Sequence, residues 1–208
     1  MDKRRPTRNK PAMEIEIQRL IGHTILGALP DLRRLRIAVF AEWPYLYDGD
    51  PADEEEYLRE FSQAPDSVMV VARSEGRVVG AATASPMSAQ NQECQAPFLS
   101  GGWDRRRLFY FGESVLLPEF RGHGIGHAFF DHREDHAQAC GAEGACFAVV
   151  TRSDDHPRRP AAYVPLTAFW RKREYAPVGS LVTTFEWKDI GEDAETAKPM
   201  QFWLRRFG

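Results

Sequence analysis

The sequence predicts an α/β domain, a central mixed sheet with helices on both faces. Three observations predict it. An apolar strand, a glycine-rich loop, a helix and a second apolar strand follow one another without interruption from Leu108 to Arg152. Ahead of them, Val68–Arg73 and Val78–Ala84 read as a hairpin turning at Ser74–Arg77. The chain has 208 residues, 43% hydrophobic and 27% charged, which suits one domain able to bury a real core. That domain is expected over residues 13–208, behind a disordered basic arm over 1–12.

Each element has its own signal. The arm carries Lys3, Arg4, Arg5, Arg8 and Lys10 and is broken by proline. Glu14-Ile15-Glu16-Ile17 alternates at period two, so a first strand is expected over 14–20. Asp31 opens a helix whose apolar positions are Leu32, Leu35, Ile37, Val39 and Phe40. Glu42 to Pro51 is turn-forming and dense in aromatics and acids. Asp53-Glu54-Glu55-Glu56 complements the dipole of a second helix running to about Ser62. Residues 86–107 are polar, with Pro86, Pro97 and Gly101-Gly102, and make a long connection to the central strand. Long ordered loops are often functional; a substrate lid and a homodimer contact are both open for this one.

The central strand begins at Leu108 and is ended by Pro118, which has no N–H to donate. Glycine then takes positions 122, 124 and 126, and His127–Cys140 reads as a helix stopped by Gly141. Ala145–Thr151 is a continuous apolar run, hence a buried parallel strand. A charged loop, Asp154–Pro160, leads to a short helix, Leu166–Arg173, with Leu166, Phe169 and Trp170 turned inward. Leu181–Trp187 is a strand, and Lys198–Phe207 a last one capping the sheet.

Composition excludes several functions. A net charge of −3 gives no general attraction to nucleic acid or to an anionic membrane, so neither partner is expected. Cys94, Cys140 and Cys146 form no C-x-x-C pair, which argues for a reducing cytoplasm without disulfides or a zinc knuckle. No apolar run reaches membrane-spanning length, and no signal-peptide core opens the chain. His132 and His136 are i, i+4, but the sequence between them is Arg-Glu-Asp rather than that of H-E-x-x-H. They read as the polar edge of a helix, and no metal is expected.

The strand–loop–helix unit is the chemical signal. Bare backbone at a helix N-terminus gathers several N–H groups at the positive end of the dipole, which makes an anion site. The dinucleotide fingerprint needs G-x-G-x-x-G, and a P-loop needs Gly-Lys-Ser/Thr; neither is present. Arg121-Gly122-His123-Gly124-Ile125-Gly126 instead resembles the pyrophosphate loop of the GNAT superfamily of N-acetyltransferases, R/Q-x-x-G-x-G/A. Arg121, Gly124 and Gly126 fall on its defining positions. The resemblance covers roughly residues 30 to 190.

The resemblance implies a GNAT-like acyl-CoA N-acyltransferase fold and acetyl-CoA as cofactor. It implies transfer of an acetyl group to a primary amine of a small molecule or peptide. The main chain of Arg121, Gly122, His123, Gly124, Ile125 and Gly126 would hold the pyrophosphate. Val115, Leu116 and Leu117 would pair with the pantetheine arm where the central strand leaves its parallel neighbour at a bulge. The segment after the first helix would wall the acceptor pocket, with Trp43, Tyr45 and Tyr47 beside Asp48 and Asp50 to suit a cation.

Glu113 is the candidate base. Strand parity places it on the face of Phe111 and Val115, among apolar groups that raise a carboxylate's pKa. Many family members carry a tyrosine acid in Y-x-x-x-G-F. Here Trp170 takes the tyrosine's place and Glu174-Tyr175 replaces Gly-Phe, which leaves Tyr163 as the candidate side-chain acid, with water or the departing ammonium proton as the alternatives. The missing tyrosine keeps a second expectation in view, an acyl-CoA-binding module without turnover.

Overall fold

The structure is a computed structural model and describes residues 14–208. The basic arm lies outside the described residues. Seven strands form one sheet: β1 (Glu16–Ile21), β2 (Val68–Ser74), β3 (Arg77–Pro86), β4 (Leu108–Leu116), β5 (Gly144–Val150), β6 (Ala176–Trp187) and β7 (Thr196–Arg206). Their order is β1-β2-β3-β4-β5-β7-β6. Every pairing is antiparallel except β4 with β5, which is parallel.

Five helices cover the sheet: α1 (Leu29–Phe40), α2 (Pro51–Gln63), α3 (Gln92–Ser100), α4 (Ile125–Ala139) and α5 (Thr167–Lys172). Side-chain alternation sorts them by face. Val70, Phe109, Phe147 and Trp203 pack under α4 with Phe129 and Phe130. Their neighbours Met69 and Val71 pack under α1 and α2 with Leu32, Leu35 and Leu58. Leu108, Cys146, Phe202 and Leu204 share that second face and pack under α3 with Phe98.

Residues 86–107 are thus largely helical rather than an open loop. Met87, Cys94 and Phe98 are buried, and Asn91 caps α3 by accepting from the Cys94 N–H at 2.9 Å. Pro97 inside α3 cannot donate to the Glu93 carbonyl. The Thr183 hydroxyl of β6 donates to that carbonyl instead, at 2.9 Å.

Other boundaries shift for local reasons. α4 begins at Ile125, because Gly124 sits at φ +81° as its N-cap and turns the chain directly into the helix. At α5, Phe169 and Trp170 pack inward as expected, but Leu166 is exposed: it precedes the first turn and faces solvent.

Candidate active site

The loop between β4 and α4 leaves most of its main-chain donors unpartnered. Gly122 and Gly124 have φ of +80° and +81°, a conformation that glycine adopts without steric cost. The N–H groups of Gly122, His123, Gly124, Ile125 and Gly126 have no acceptor among the described residues. A Cβ on Gly122 or Gly124 would meet nothing within 4 Å, so the space beside the loop is open. Arg121 fastens the loop from one side. Its guanidinium forks onto the Glu42 carboxylate at 2.9 and 3.0 Å and donates to the Leu116 carbonyl at 3.1 Å. Among the described residues, five donors at the start of a 15-residue helix stand ready for an anion with several oxygens.

Next to the loop the sheet parts. β4 pairs with β5 only at Leu108, Phe109 and Tyr110, although β5 continues to Val150. Beyond Tyr110 one edge of β4 is left open. In an antiparallel pair, main-chain groups point to the neighbour at every second residue. The Leu117 N–H donates to the Val79 carbonyl of β3, so Leu117 and, two residues back, Val115 are turned to β3. Leu116 and Ser114 are turned to the opening. Of the three residues expected there, Leu116 presents its main chain to the gap.

The strand changes phase within this open stretch. Ala82 faces Ser114 and Ala84 faces Phe111, so Thr83 alone stands opposite Gly112 and Glu113. This is a β-bulge, and it reverses the parity that the sequence suggests. Phe111 stays under α4 and Val115 lies under α1 and α2. Glu113 goes with Val115 and not with Phe111. Gly112 is required there, since a Cβ would come within 2.7 Å of the Thr83 hydroxyl.

On the α1–α2 face the Glu113 carboxylate is almost fully buried and held from three sides. One oxygen accepts from Arg36 and from the Tyr57 hydroxyl at 2.5 Å; the other accepts from the Thr83 hydroxyl. Arg36 also forks onto the buried Glu54. Burial opposes its charge, but Glu113, Tyr57 and Glu54 together hold the guanidinium pKa above its ordinary value. Burial, then the Glu113 charge, pushes the Tyr57 phenol well up.

The acetyltransferase (GNAT) family model matches residues 32–163, which span α1, the bulge, the loop and the parted strands. The chain belongs to the GNAT acetyltransferase family. Solved structures agree in fold. The ribosomal-protein-alanine N-acetyltransferase of Brucella melitensis superposes with a TM-score of 0.60 at 15% identity, covering 92% of this chain and 99% of that one. Arabidopsis thaliana NAA60, solved with a bisubstrate analogue, gives 0.60 at 12% identity, covering 94% and 100%. The aminoglycoside N-acetyltransferase AAC(6')-Iy in complex with CoA gives 0.51 at 16% identity, covering 79% and 88%. No curated protein sequence matches.

In this GNAT domain the other side of the opening is aromatic. Tyr45 follows α1 and lies 6.0 Å from Trp187 between ring centroids. Burial first, then Tyr163 and Glu113, pushes its phenol up to about 12. Tyr110 stands near both Tyr57 and Tyr45, and burial chiefly raises its pKa. A cavity of about 80 Å³ between α2 and the start of α3 is lined by Tyr57, Thr83, Tyr110 and Gly112. A larger open groove of about 1190 Å³ runs along Ile21, Leu26, Leu58 and His136, and none of the site residues lines it.

Tyr163 sits at the rim, with its ring edge-on to Trp43 at 6.1 Å and near Tyr45. Burial raises its pKa as well. Asp48 and Asp50 are not spare carboxylates. Asp48 pairs with Lys188 at 2.8 Å, and Asp50 caps α2 by accepting from the Ala52 N–H at 2.7 Å. Trp170 is in the core against Phe147 and Trp203. Glu174, where the family pattern has glycine, takes φ +64°.

Sequence reasoning missed four residues of this site: Arg36, Tyr57, Arg133 and Arg152. Arg152 donates to the Pro44 and Tyr45 carbonyls at 3.0 and 2.8 Å and so fixes the aromatic wall. None of the four has a local motif, because each acts on an element far away in the chain.

Proposed function

We propose that the chain transfers the acetyl group of acetyl-CoA to a primary amine of a small molecule or peptide. The observation that carries this reading is the set of five unpaired loop amides beside a parted sheet, with a carboxylate across the strand from them. The residues present fit the cofactor. The amides of 122–126 suit its diphosphate, and the open edge of β4 at Ser114 and Leu116 suits an amide-bearing arm. Acetyl-CoA, when bound, supplies an acetyl thioester.

The chain's own groups then have defined tasks. The Leu116 N–H, turned into the gap, is placed to polarise a carbonyl. Glu113 is the proposed base that takes the proton of the attacking amine. The carboxylate is 3% exposed, and Tyr57, 36% exposed, is its outward-facing hydrogen-bond partner. The phenol can pass the amine's proton inward by handing its own to Glu113. Tyr163, at the rim, is the proposed acid for the departing thiolate. Tyr45, Tyr57 and Tyr110 offer ring faces to an ammonium, in place of the committed Asp48 and Asp50.

All three cysteines are free, in keeping with a proposed cytoplasmic setting. No helix among the described residues is long and apolar enough to cross a membrane. The test is thiol release from acetyl-CoA over a panel of amines. Release that depends on the amine supports the transferase. Tight acetyl-CoA binding with no such release would favour a binding module, the reading that the enclosure of Glu113 allows.

A further inference from the structure

Arg133 is in the middle of α4, on the face of the sheet opposite Glu113's carboxylate. It is 1% exposed, and among the described residues it forms no ion pair. A buried guanidinium without a carboxylate is costly. What it has instead is the backbone of the bulge. Its Nη1 donates to the Thr83 carbonyl at 3.2 Å and to the Glu113 carbonyl at 3.1 Å. Its Nη2 donates to the Ser114 hydroxyl at 2.9 Å, and its Nε to the Phe129 carbonyl at 3.1 Å. Phe111 and Phe130 flank it, with ring centroids 4.4 and 4.9 Å away.

A bulge breaks the ladder and leaves main-chain groups without their strand partners. Here three of them are met by side chains. The Glu113 N–H donates to the Thr83 hydroxyl at 3.0 Å. The two carbonyls, of Thr83 and Glu113, both go to Arg133. A regular β4 would need neither contact, and strict alternation would turn Glu113 to the α4 face beside Phe111. We infer that Arg133 is a positioning residue for catalysis: from the rear of the sheet it holds the β4 bulge that delivers Glu113 to the acceptor face. This rests on the reading of Glu113 as the base. The holding of the bulge itself can be tested without it.

The experiment compares the full-length protein with Arg133→Met and Arg133→Lys. Methionine fills much of the volume and removes a buried charge, a change that folded proteins often accept. Acetyl-CoA affinity, measured by calorimetry, should fall by no more than about tenfold, because the diphosphate loop lies outside Arg133's contacts and only the Ser114 edge of the proposed cofactor site touches it. Turnover should fall about 100-fold with KM for the amine little changed, as expected for a reacting group displaced by about 1 Å. Lysine, with one ammonium for four acceptors, should recover part of the loss. A generally loosened fold would instead weaken cofactor binding and turnover together.

Amide hydrogen exchange at Gly112 and Glu113 gives the readout that needs no activity. It should quicken by at least about tenfold in Arg133→Met, while exchange in β2 and β7 holds. Unchanged exchange and turnover in a folded Arg133→Met protein would overturn the proposal. If the wild type acetylates no amine, the function reading fails, and the exchange result still decides whether Arg133 holds the bulge. Should Arg133→Met not fold, Arg133→Lys is judged on the same two measurements.

Discussion

Two stretches of irregular backbone lie within fifteen residues of each other and are finished in opposite ways. Between Arg121 and Gly126, five N–H groups have no acceptor among the described residues. At the bulge around Glu113, three main-chain groups are met by the side chains of Thr83 and Arg133. The difference follows from where the missing partners come from. On the proposed reading the loop awaits oxygens that a ligand brings. On the same reading the bulge holds its carboxylate before any ligand arrives, and side chains of the chain itself supply the contacts that hold it.

The largest expected effect is at the open stretch. Gly124→Asp puts a side chain at φ +81° and a negative charge among donors meant for an anion. Acetyl-CoA affinity by calorimetry should fall by at least about 1000-fold, roughly 4 kcal/mol. Affinity near that of the wild type would mean that the amides of the loop hold nothing. At the closed stretch, Glu113→Gln keeps the shape but cannot take a proton. Turnover should fall about 100-fold with cofactor affinity within a few-fold. Equal turnover across a pH series would remove Glu113 from the mechanism, and the bulge would then be architecture alone.

This contrast also explains what the sequence could and could not show. The loop was legible because its physics is local: three glycines, a strand before and a helix after. The sheet, the hairpin and the helices on both faces were legible from periodicity for the same reason. The direction of Glu113 was not, because counting by twos from Phe111 assumes a regular ladder. Gly112 hinted at a bulge, but the groups that hold it are Thr83, 30 residues before Glu113, and Arg133, 20 residues after it. Arg133 itself read as one more polar residue beside two histidines. α3 was hidden by Pro97, which is tolerated only because Thr183 takes up the carbonyl it leaves.

The aromatic wall proposed for the acceptor offers a smaller test through its phenols. Tyr45 is held up to about 12, against about 10 in the unfolded chain, by burial first and by Tyr163 and Glu113 next. The folded state therefore keeps a proton that the unfolded state loses. Its contribution to stability is fully present below pH 10 and is lost as pH rises from 10 towards 12. Denaturant midpoints should drop over that interval, and less so in Tyr45→Phe. Phenolate absorbance of the folded protein should lag behind that of the free amino acid. Free titration of all phenols near 10 would show the wall to be open to water, as the loop is.

The smallest effect is at Glu174, a control for the glycines of the loop. Glu174 takes φ +64°, a left-handed conformation like that of Gly122 and Gly124. It ends α5 with no ligand surface beside it, and its carboxylate, 73% exposed, pairs with Arg205 at 2.7 Å. Left-handed backbone costs a non-glycine residue about 1 kcal/mol or more, whereas an exposed ion pair is worth about 0–1 kcal/mol. Arg205 also keeps its bond to Glu134 at 2.8 Å if Glu174 is lost. Glu174→Gly should therefore stabilise the fold by about 0.5–1 kcal/mol, raising Tm by roughly 1–4 °C with acetyl-CoA affinity unchanged. A lower Tm would mean that the ion pair outweighs the backbone term. The binding loss in Gly124→Asp would then have to be credited to charge and bulk rather than to φ.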